Sequence, residues 1–195
     1  QLVKAICWKS RQNHTAELTP AIDSVLGSTG TLPIDLQGIG VALGPGGFSA
    51  LRAGLGAAKG LAFALDIPLV GVSTLAAEVH LYQPMARRIC AILPAGRGMI
   101  SWGVYEKKKI GWSCRKEQTG PVDDLMKSIV GPTLFCGEAA FEHADVLVQS
   151  LGSRAIVPST FSPMIRLTGL AYLAIDRLAN HDADSLGALQ PHYLR

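Results

Sequence analysis

A glycine-rich turn between an apolar segment and an alanine-rich segment constrains the fold of this chain more than any other stretch. Residues 38–43 read Gly-Ile-Gly-Val-Ala-Leu, and the turn Gly44-Pro45-Gly46-Gly47 follows directly. Glycine adopts backbone conformations that other residues avoid, and proline fixes its own φ, so the turn makes a tight corner. The pattern predicts a strand, a sharp turn and a helix over residues 50–65, with Ser49 as the helix cap.

The glycine loop has two interpretations at the level of motifs. A helix N-terminus offers N–H groups to anions, so the loop could hold a phosphate, or it could be a plain strand-to-helix connection. The dinucleotide pattern would need glycine at Ser49, and no Gly-Lys-Ser/Thr follows. Arg52 could face an anion or pair on the surface. The loop residues of interest are Gly44, Pro45, Gly46, Gly47, Ser49 and Arg52.

The helix after the turn carries a face with almost no side-chain bulk. Glycine destabilises a helix by about 1 kcal/mol relative to alanine, and Gly54, Gly56 and Gly60 all lie in this helix. Packing against another backbone has to offset that loss, so we expect the face to contact a sheet or a partner helix. Its residues recur at helical spacing: Ala50, Ala53, Gly54, Ala57, Ala58 and Leu61.

Composition suits one large domain or two small ones. The 195 residues carry a net charge of +3, with 17% charged and 48% hydrophobic residues. These values exclude a disordered chain and are not typical of a strongly nucleic-acid-binding one. The four cysteines are far apart, which predicts free core thiols and a cytoplasmic location. We expect no signal peptide, and no membrane span because no apolar run is long enough.

The order of predicted elements indicates an α/β fold made of two halves. The first half is predicted as strands at 2–8, 38–43 and 68–73 alternating with helices at 14–26, 50–65 and 74–81, the first helix capped by Asn13 and interrupted by Pro20. The second half is predicted as strands at 88–93, 99–105 and 110–114, followed by helix 122–130, strand 133–136, helix 141–151, strand 155–157 and helix 163–180.

The predicted orders of strands and helices in the two halves agree if the first half has lost two leading strands. A three-strand meander followed by α-β-α-β-α is a ribonuclease-H-like lobe, and two such lobes in tandem form the actin-like ATPase architecture. We therefore predict an N-terminal lobe over residues 1–84, which bears the partner-binding helices, and a C-terminal lobe over residues 85–195.

Several motifs together resemble the TsaB (YeaZ) family of the wider TsaD/Kae glycoprotease-like superfamily. They are Asn13-His14-Thr15-Ala16-Glu17-Leu18-Thr19-Pro20, the glycine loop with Leu51-Arg52-Ala53-Gly54, Ala58-Lys59-Gly60-Leu61-Ala62, Ile67 to Leu75, and the tail Pro191 to Arg195. The family loop reads Gly-Pro-Gly-Ser-Phe-Thr-Gly-Leu-Arg. Here Gly47, Ser49 and Ala50 replace its Ser, its Thr and its last Gly.

The resemblance implies a non-catalytic subunit required for threonylcarbamoyladenosine modification of tRNA. It implies dimerisation with a catalytic TsaD-like subunit, association with a TsaE-like ATPase, homodimers when the catalytic subunit is absent, and contact with tRNA only through the complex. No membrane and no tightly bound cofactor are expected, while ATP or ADP at the partner interface is left open. The implied partner-binding residues are His14, Glu17, Leu18, Ile22, Leu51, Gly54, Ala58 and Leu61.

One spacing separates this chain from its catalytic relatives, which carry His-x-x-x-His on the first helix to bind a metal. Residues four apart share a helix face, but here Leu18 follows His14 at that spacing. We therefore assign no catalytic residue and no metal ligand. The alternatives are a stand-alone actin-like ATPase, or a metal-dependent glycoprotease-like enzyme. The lysines at 107–109 are expected to guard a sheet edge rather than to bind tRNA phosphates.

Overall fold

A computed structural model describes residues 2–10 and 13–194 and confirms a mixed α/β fold. The helices are α1 His14–Thr29, α2 Phe48–Leu65, α3 Thr74–His80, α4 Val122–Ser128, α5 Glu138–Glu142, α6 Ala144–Leu151 and α7 Pro163–Ala179. The strands are β1 Ile39–Gly44, β2 Leu69–Ser73, β3 Arg88–Gly96, β4 Met99–Lys107, β5 Trp112–Gly120, β6 Thr133–Cys136 and β7 Ala155–Ile156.

The chain divides into two compact units. The first unit comprises residues up to Ser73 together with Leu170–His192, and the second comprises Thr74–Gly169 with residues 193 and 194. Helix α7 therefore contributes its first residues to the second unit and the rest to the first. These units group residues that contact one another. The predicted lobe boundary after residue 84 stays a prediction.

The first unit is built on a two-stranded parallel sheet, in which β1 pairs with β2 from Ile39↔Leu69 onward. The continuously apolar β2 is buried from Leu69 to Val72, as expected for a parallel strand covered on both faces. Helix α2 packs on β1 and closes a small core through Leu55 and Ala62.

The predicted strand over residues 2–8 is wrong, because the described residues 2–10 contain no strand. A strand is stabilised by its hydrogen-bonded neighbours, and this segment pairs with none of the described strands. Val3 is 78% exposed. The segment is instead attached to α1 by the indole N–H of Trp8, which donates a hydrogen bond to Glu17 at 2.9 Å.

A clamp of charged residues covers the outer edge of β2. The backbone N–H of Asp184 donates to the carbonyl of Leu69, and the Asp184 carboxylate accepts the N–H of Gly71 at 2.7 Å. Arg177 of α7 donates to the carbonyl of Gly71 at 2.8 Å and also binds Asp182 and Asp184. Hydrogen bonding to Arg177 lowers the pKa of Asp182, so this carboxylate is charged at neutral pH.

The second unit is built on a five-stranded sheet in the order β5-β4-β3-β6-β7. Strands β3, β4 and β5 form an antiparallel meander, and β6 and β7 add in parallel. Alternate residues of β3 face opposite sides. Cys90 and Ile92 pack with α4, α5 and α6, whereas Ile89 and Ala91 pack with α3 and the start of α7.

The second unit also contains a buried ion pair between α3 and α7. The carboxylate of Glu78, which is fully buried, accepts a hydrogen bond from Arg166 Nε at 2.9 Å. One turn further along α7, Gly169 lies against the backbone of α3, where a β-carbon would overlap the carbonyl oxygen of Ala77. Because α3 and α7 pack closely at Gly169, the charged groups of Glu78 and Arg166 lie within hydrogen-bonding distance.

Several smaller predictions need correction. Helix α1 begins after Asn13 as predicted, but the Asn13 side chain makes no capping hydrogen bond, and the helix continues through Pro20 to Thr29. The helix predicted over residues 141–151 is two helices separated at His143. In α7, Ile175 is 58% exposed, while the adjacent Ala174 is buried, so the apolar side of this helix does not include every apolar residue in it.

Candidate functional site

The glycine loop turns the end of β1 into α2. Gly44 has φ 116°, a value that side-chain-bearing residues rarely adopt. A β-carbon there would lie 2.8 Å from the carbonyl oxygen of His192 and 3.0 Å from Leu51 Cδ1. At Gly46 the nearest atom to a β-carbon would be 3.5 Å away, an ordinary contact. Conformation and space therefore require glycine at Gly44, whereas space does not require it at Gly46.

Helix α2 begins at Phe48 with Gly47 as its N-cap, and no side chain caps it. Ser49 lies inside the first turn, so its predicted capping role is wrong. The first N–H groups of a helix have no acceptor within the helix, which leaves the phosphate interpretation of the loop as a prediction. Arg52 lies over the ring of Phe48, with its guanidinium carbon 3.8 Å from the ring centroid. This cation–π contact holds a positive charge near the helix start.

An exposed stripe runs along the outer face of α2. Its members recur at spacings of three and four residues, all are exposed, and we call them the outer stripe of α2: Ser49, Arg52, Gly56, Gly60 and Phe63. A β-carbon at Gly56 or at Gly60 would meet no atom within 4 Å. Phe63 is 82% exposed. The fold of this chain therefore gives these two glycines no steric reason to be glycine.

The opposite face of α2 is occupied by the core of the first unit. Leu51 and Ala58, which the sequence assigned to partner binding, are buried there. Gly54 and Leu61 are half-buried, and a β-carbon at Gly54 would also meet no atom within 4 Å. The small residues of α2 thus serve two surfaces, one packed on β1 and one open to solvent.

Helix α1 packs beside α2 in the same unit. The four α1 residues assigned to partner binding, His14, Glu17, Leu18 and Ile22, are all half-buried. None of the α1 residues is fully buried. The helix therefore keeps apolar surface accessible along its length, next to the face of α2.

Metal-ligating side chains and thiols do not cluster in the described residues. They contain no group of three or more His, Cys, Asp or Glu side chains that could hold a metal ion. All four cysteines are free, with Cys90 and Cys136 buried and Cys7 exposed. Burial raises the pKa of the Cys90 and Cys136 thiols well above the ordinary value, so neither is an activated nucleophile.

The sequence analysis did not predict that Gly56, Gly60 and Phe63 lie together on the exposed face of α2. The missed signal was their spacing, since Phe63 follows Gly56 by seven residues and Gly60 by three. The sequence-based face was instead centred on the alanines, one of which, Ala58, is part of the core of the first unit.

Comparisons with known proteins agree with this structure. Residues 8–131 match the family model described as "TsaD: tRNA N6-adenosine threonylcarbamoyltransferase". The tRNA threonylcarbamoyladenosine biosynthesis protein TsaB of Bacillus subtilis (strain 168) is 31% identical over 196 residues, which cover 95% of this chain and 81% of that protein. The chain belongs to the TsaB family. Its matched region also places it in the wider TsaD superfamily.

Two further similar proteins show how the similarity is distributed. The TsaB protein of Escherichia coli (strain K12) is 32% identical over 51% of this chain and 44% of its own. The solved structure of YeaZ from Pseudomonas aeruginosa superposes with a TM-score of 0.69 at 22% identity, covering 93% of this chain and 84% of that one. Searching the described residues for a helix long and apolar enough to cross a membrane finds none.

Proposed function

We propose that this TsaB family member is a non-catalytic partner subunit in threonylcarbamoyladenosine modification of tRNA, and that it pairs with a TsaD-like catalytic subunit through α1 and α2. The observation that carries the proposal is the outer stripe of α2. Its glycines weaken the helix by about 1 kcal/mol each and give no packing advantage within the chain. A partner helix that approaches the bare backbone closely would explain them.

The other expectations belong to the same proposal. A TsaE-like ATPase would join the assembly, copies of this chain would pair when the catalytic subunit is absent, and tRNA would be met within the complex. The tandem ribonuclease-H-like arrangement is supported by the strand order of the second unit, a meander followed by two parallel strands. ATP or ADP at the partner interface is supported only by the glycine loop at the start of α2. A cytoplasmic location is supported by the free thiols.

Light scattering after size-exclusion chromatography tests the proposal, using this chain alone and mixed with the TsaD-like subunit of the same organism. We expect a mixed complex to replace the homodimer. A chain that stays monomeric and ignores the catalytic subunit would contradict pairing. ATP turnover by the chain alone would instead favour the stand-alone ATPase.

Replacing Gly56 and Gly60 by alanine should separate pairing from folding. Each substitution should stabilise α2 by up to about 1 kcal/mol, because the added methyl group has open space and alanine favours helix. The same methyl groups would keep a partner helix from approaching closely, so the mixed complex should weaken at least tenfold. Urea unfolding and titration by light scattering measure the two effects.

Gly187→Ala, in the same unit but outside both helices, is the matched control, since a β-carbon there meets only Ser185 Oγ at 4.0 Å. It should leave pairing unchanged. Gly54→Leu, which adds bulk at the half-buried side of α2, should keep the helical content and weaken pairing. If the Gly56→Ala/Gly60→Ala variant pairs as tightly as the wild type, the outer stripe of α2 is not the interface.

A further inference from the structure

A groove of about 990 Å³ opens on the five-stranded sheet of the second unit, beside the end of α4. Its charged lining comes from three adjacent strands and the residue that follows β4: Arg88, Glu106, Lys108, Arg115 and Lys116. A second groove of about 570 Å³ shares Arg88 and Glu106 with the first and adds Arg87 and Lys107. The two grooves therefore have Arg88 and Glu106 in common.

Together the two grooves are strongly cationic, with six basic side chains and a single carboxylate. Glu106 accepts hydrogen bonds from Arg88 at 2.6 Å and from Lys108 at 2.8 Å. Those hydrogen bonds lower the pKa of Glu106, so it neutralises part of the charge at neutral pH.

Four of the basic residues keep their charge uncompensated. Within the part of the chain that the structure describes, no carboxylate forms an ion pair with Arg87, Lys107, Arg115 or Lys116. All four are exposed. The overall net charge of +3 hides this concentration, because the acidic residues of the chain lie largely elsewhere.

We propose that the first of these grooves, which Arg115 and Lys116 line, binds the phosphate backbone of RNA directly. The proposal rests on the proposed function, which brings a tRNA to the complex that contains this chain, and it adds that this subunit itself holds part of that tRNA. Exposed cations distributed along strand edges neutralise successive phosphates, and they bind without reading sequence. Ser113, Gln118 and Ser128, which also line the groove, supply neutral hydrogen-bonding groups for phosphate or ribose hydroxyls.

A small phosphate ligand fits the groove less well than a polyanion. Phosphate pockets converge several donors on one point, whereas these cations are spread over β3, β4 and β5. An anionic membrane is the main competing occupant, because Ile110, at the turn between β4 and β5, is 94% exposed beside Lys108 and Lys109. Ile110 lines neither groove, and the concave basic surface itself favours a nucleic acid.

The test is the salt dependence of tRNA binding by the full chain. A fluorescently labelled, unmodified tRNA transcript is titrated at several salt concentrations, and its anisotropy gives the binding constant. For the wild type we expect affinity to fall steeply with salt, as counterion release requires. Arg115→Gln/Lys116→Gln should weaken binding and reduce the slope of log K against log salt by about 2, since each phosphate contact contributes about 1.

Arg97→Gln/Lys127→Gln is the matched control, because it removes the same charge from residues that do not line either groove. The control should leave the slope at its wild-type value. Equal losses in the two double variants would overturn the proposal in favour of a net-charge effect. Wild-type chain that binds no tRNA, or that binds phosphatidylserine vesicles with the same dependence on Arg115 and Lys116, would overturn it as well.

Pairing is measured separately on the same variants by light scattering with the TsaD-like subunit. Intact pairing together with absent RNA binding would reject the groove and leave the proposed function standing. If the wild-type chain does not pair with the TsaD-like subunit, the proposed function is rejected, whatever the RNA titration shows.

Discussion

Arg166→Ala should destabilise the folded chain by about 3–5 kcal/mol, because it leaves the carboxylate of Glu78 buried without its partner. Glu78 is fully buried and Arg166 Nε donates to it at 2.9 Å. Glu138, which lies 3.9 Å from Arg166, is itself a carboxylate, so without Arg166 it would only add to the negative charge near Glu78. Urea unfolding followed by circular dichroism at pH 8 measures the loss.

The same variant should show a characteristic dependence on pH. Burial raises the pKa of Glu78 above its ordinary value, although the charge of Arg166 acts in the opposite direction. A carboxyl group with a raised folded-state pKa gives its full contribution to stability below the unfolded-state pKa, and loses it as pH rises through the folded-state value. Removing Arg166 raises that pKa further, so the difference from wild type should be larger at pH 8 than at pH 5.

A second substitution provides the control for this ion pair. Adding Glu78→Gln to Arg166→Ala removes the buried charge while keeping the side-chain shape, so it should recover part of the lost stability and abolish the difference between pH 5 and pH 8. An equal loss at both pH values, with no recovery in the double variant, would show that Arg166 acts through packing alone.

Gly169→Ala should lower the free energy of unfolding by about 1–3 kcal/mol, the range for overpacked interiors. Alanine ordinarily favours a helix over glycine, so the expected sign is opposite to helix propensity. The reason is steric, since the new β-carbon would overlap the carbonyl oxygen of Ala77 and approach His80 Cβ to 3.3 Å. Neither backbone can yield without separating α3 from α7.

Gly60→Ala makes the same change in α2, where no atom lies within 4 Å of the added carbon. It should raise the free energy of unfolding by up to about 1 kcal/mol. Thermal unfolding of the two variants beside wild type should therefore give shifts of opposite sign. A shift of the same sign in both would mean that α7 moves freely away from α3.

The sequence predicted several local elements well. Strand β6 over residues 133–136 was placed at its observed bounds, and α2 and β2 were predicted to within two residues. The segment at residues 2–8 has the composition of a strand but lacks a pairing strand. Strand formation depends on a neighbour that local pattern does not reveal.

The candidate site was predicted only in part, because the sequence does not show which segments pack on it. Glycines in α2 indicated a bare helix face, but spacing alone did not decide which side β1 would cover. The ion pair of Glu78 and Arg166 joins residues 88 positions apart, and the basic groove draws on three strands. Such groupings arise only when distant segments pack together in the fold, so they could not be predicted from local sequence patterns.

The clamp of Arg177 and Asp184 has a consequence for how copies of this chain can associate. Uncovered sheet edges recruit strands from other chains, and open-ended fibres need a free edge on both sides of the sheet. In the first unit, Asp184 and Arg177 occupy the hydrogen-bonding groups of Leu69 and Gly71 on the outer edge of β2. Any added strand must therefore enter beside β1, which allows addition to stop after one partner and opposes runaway polymerisation.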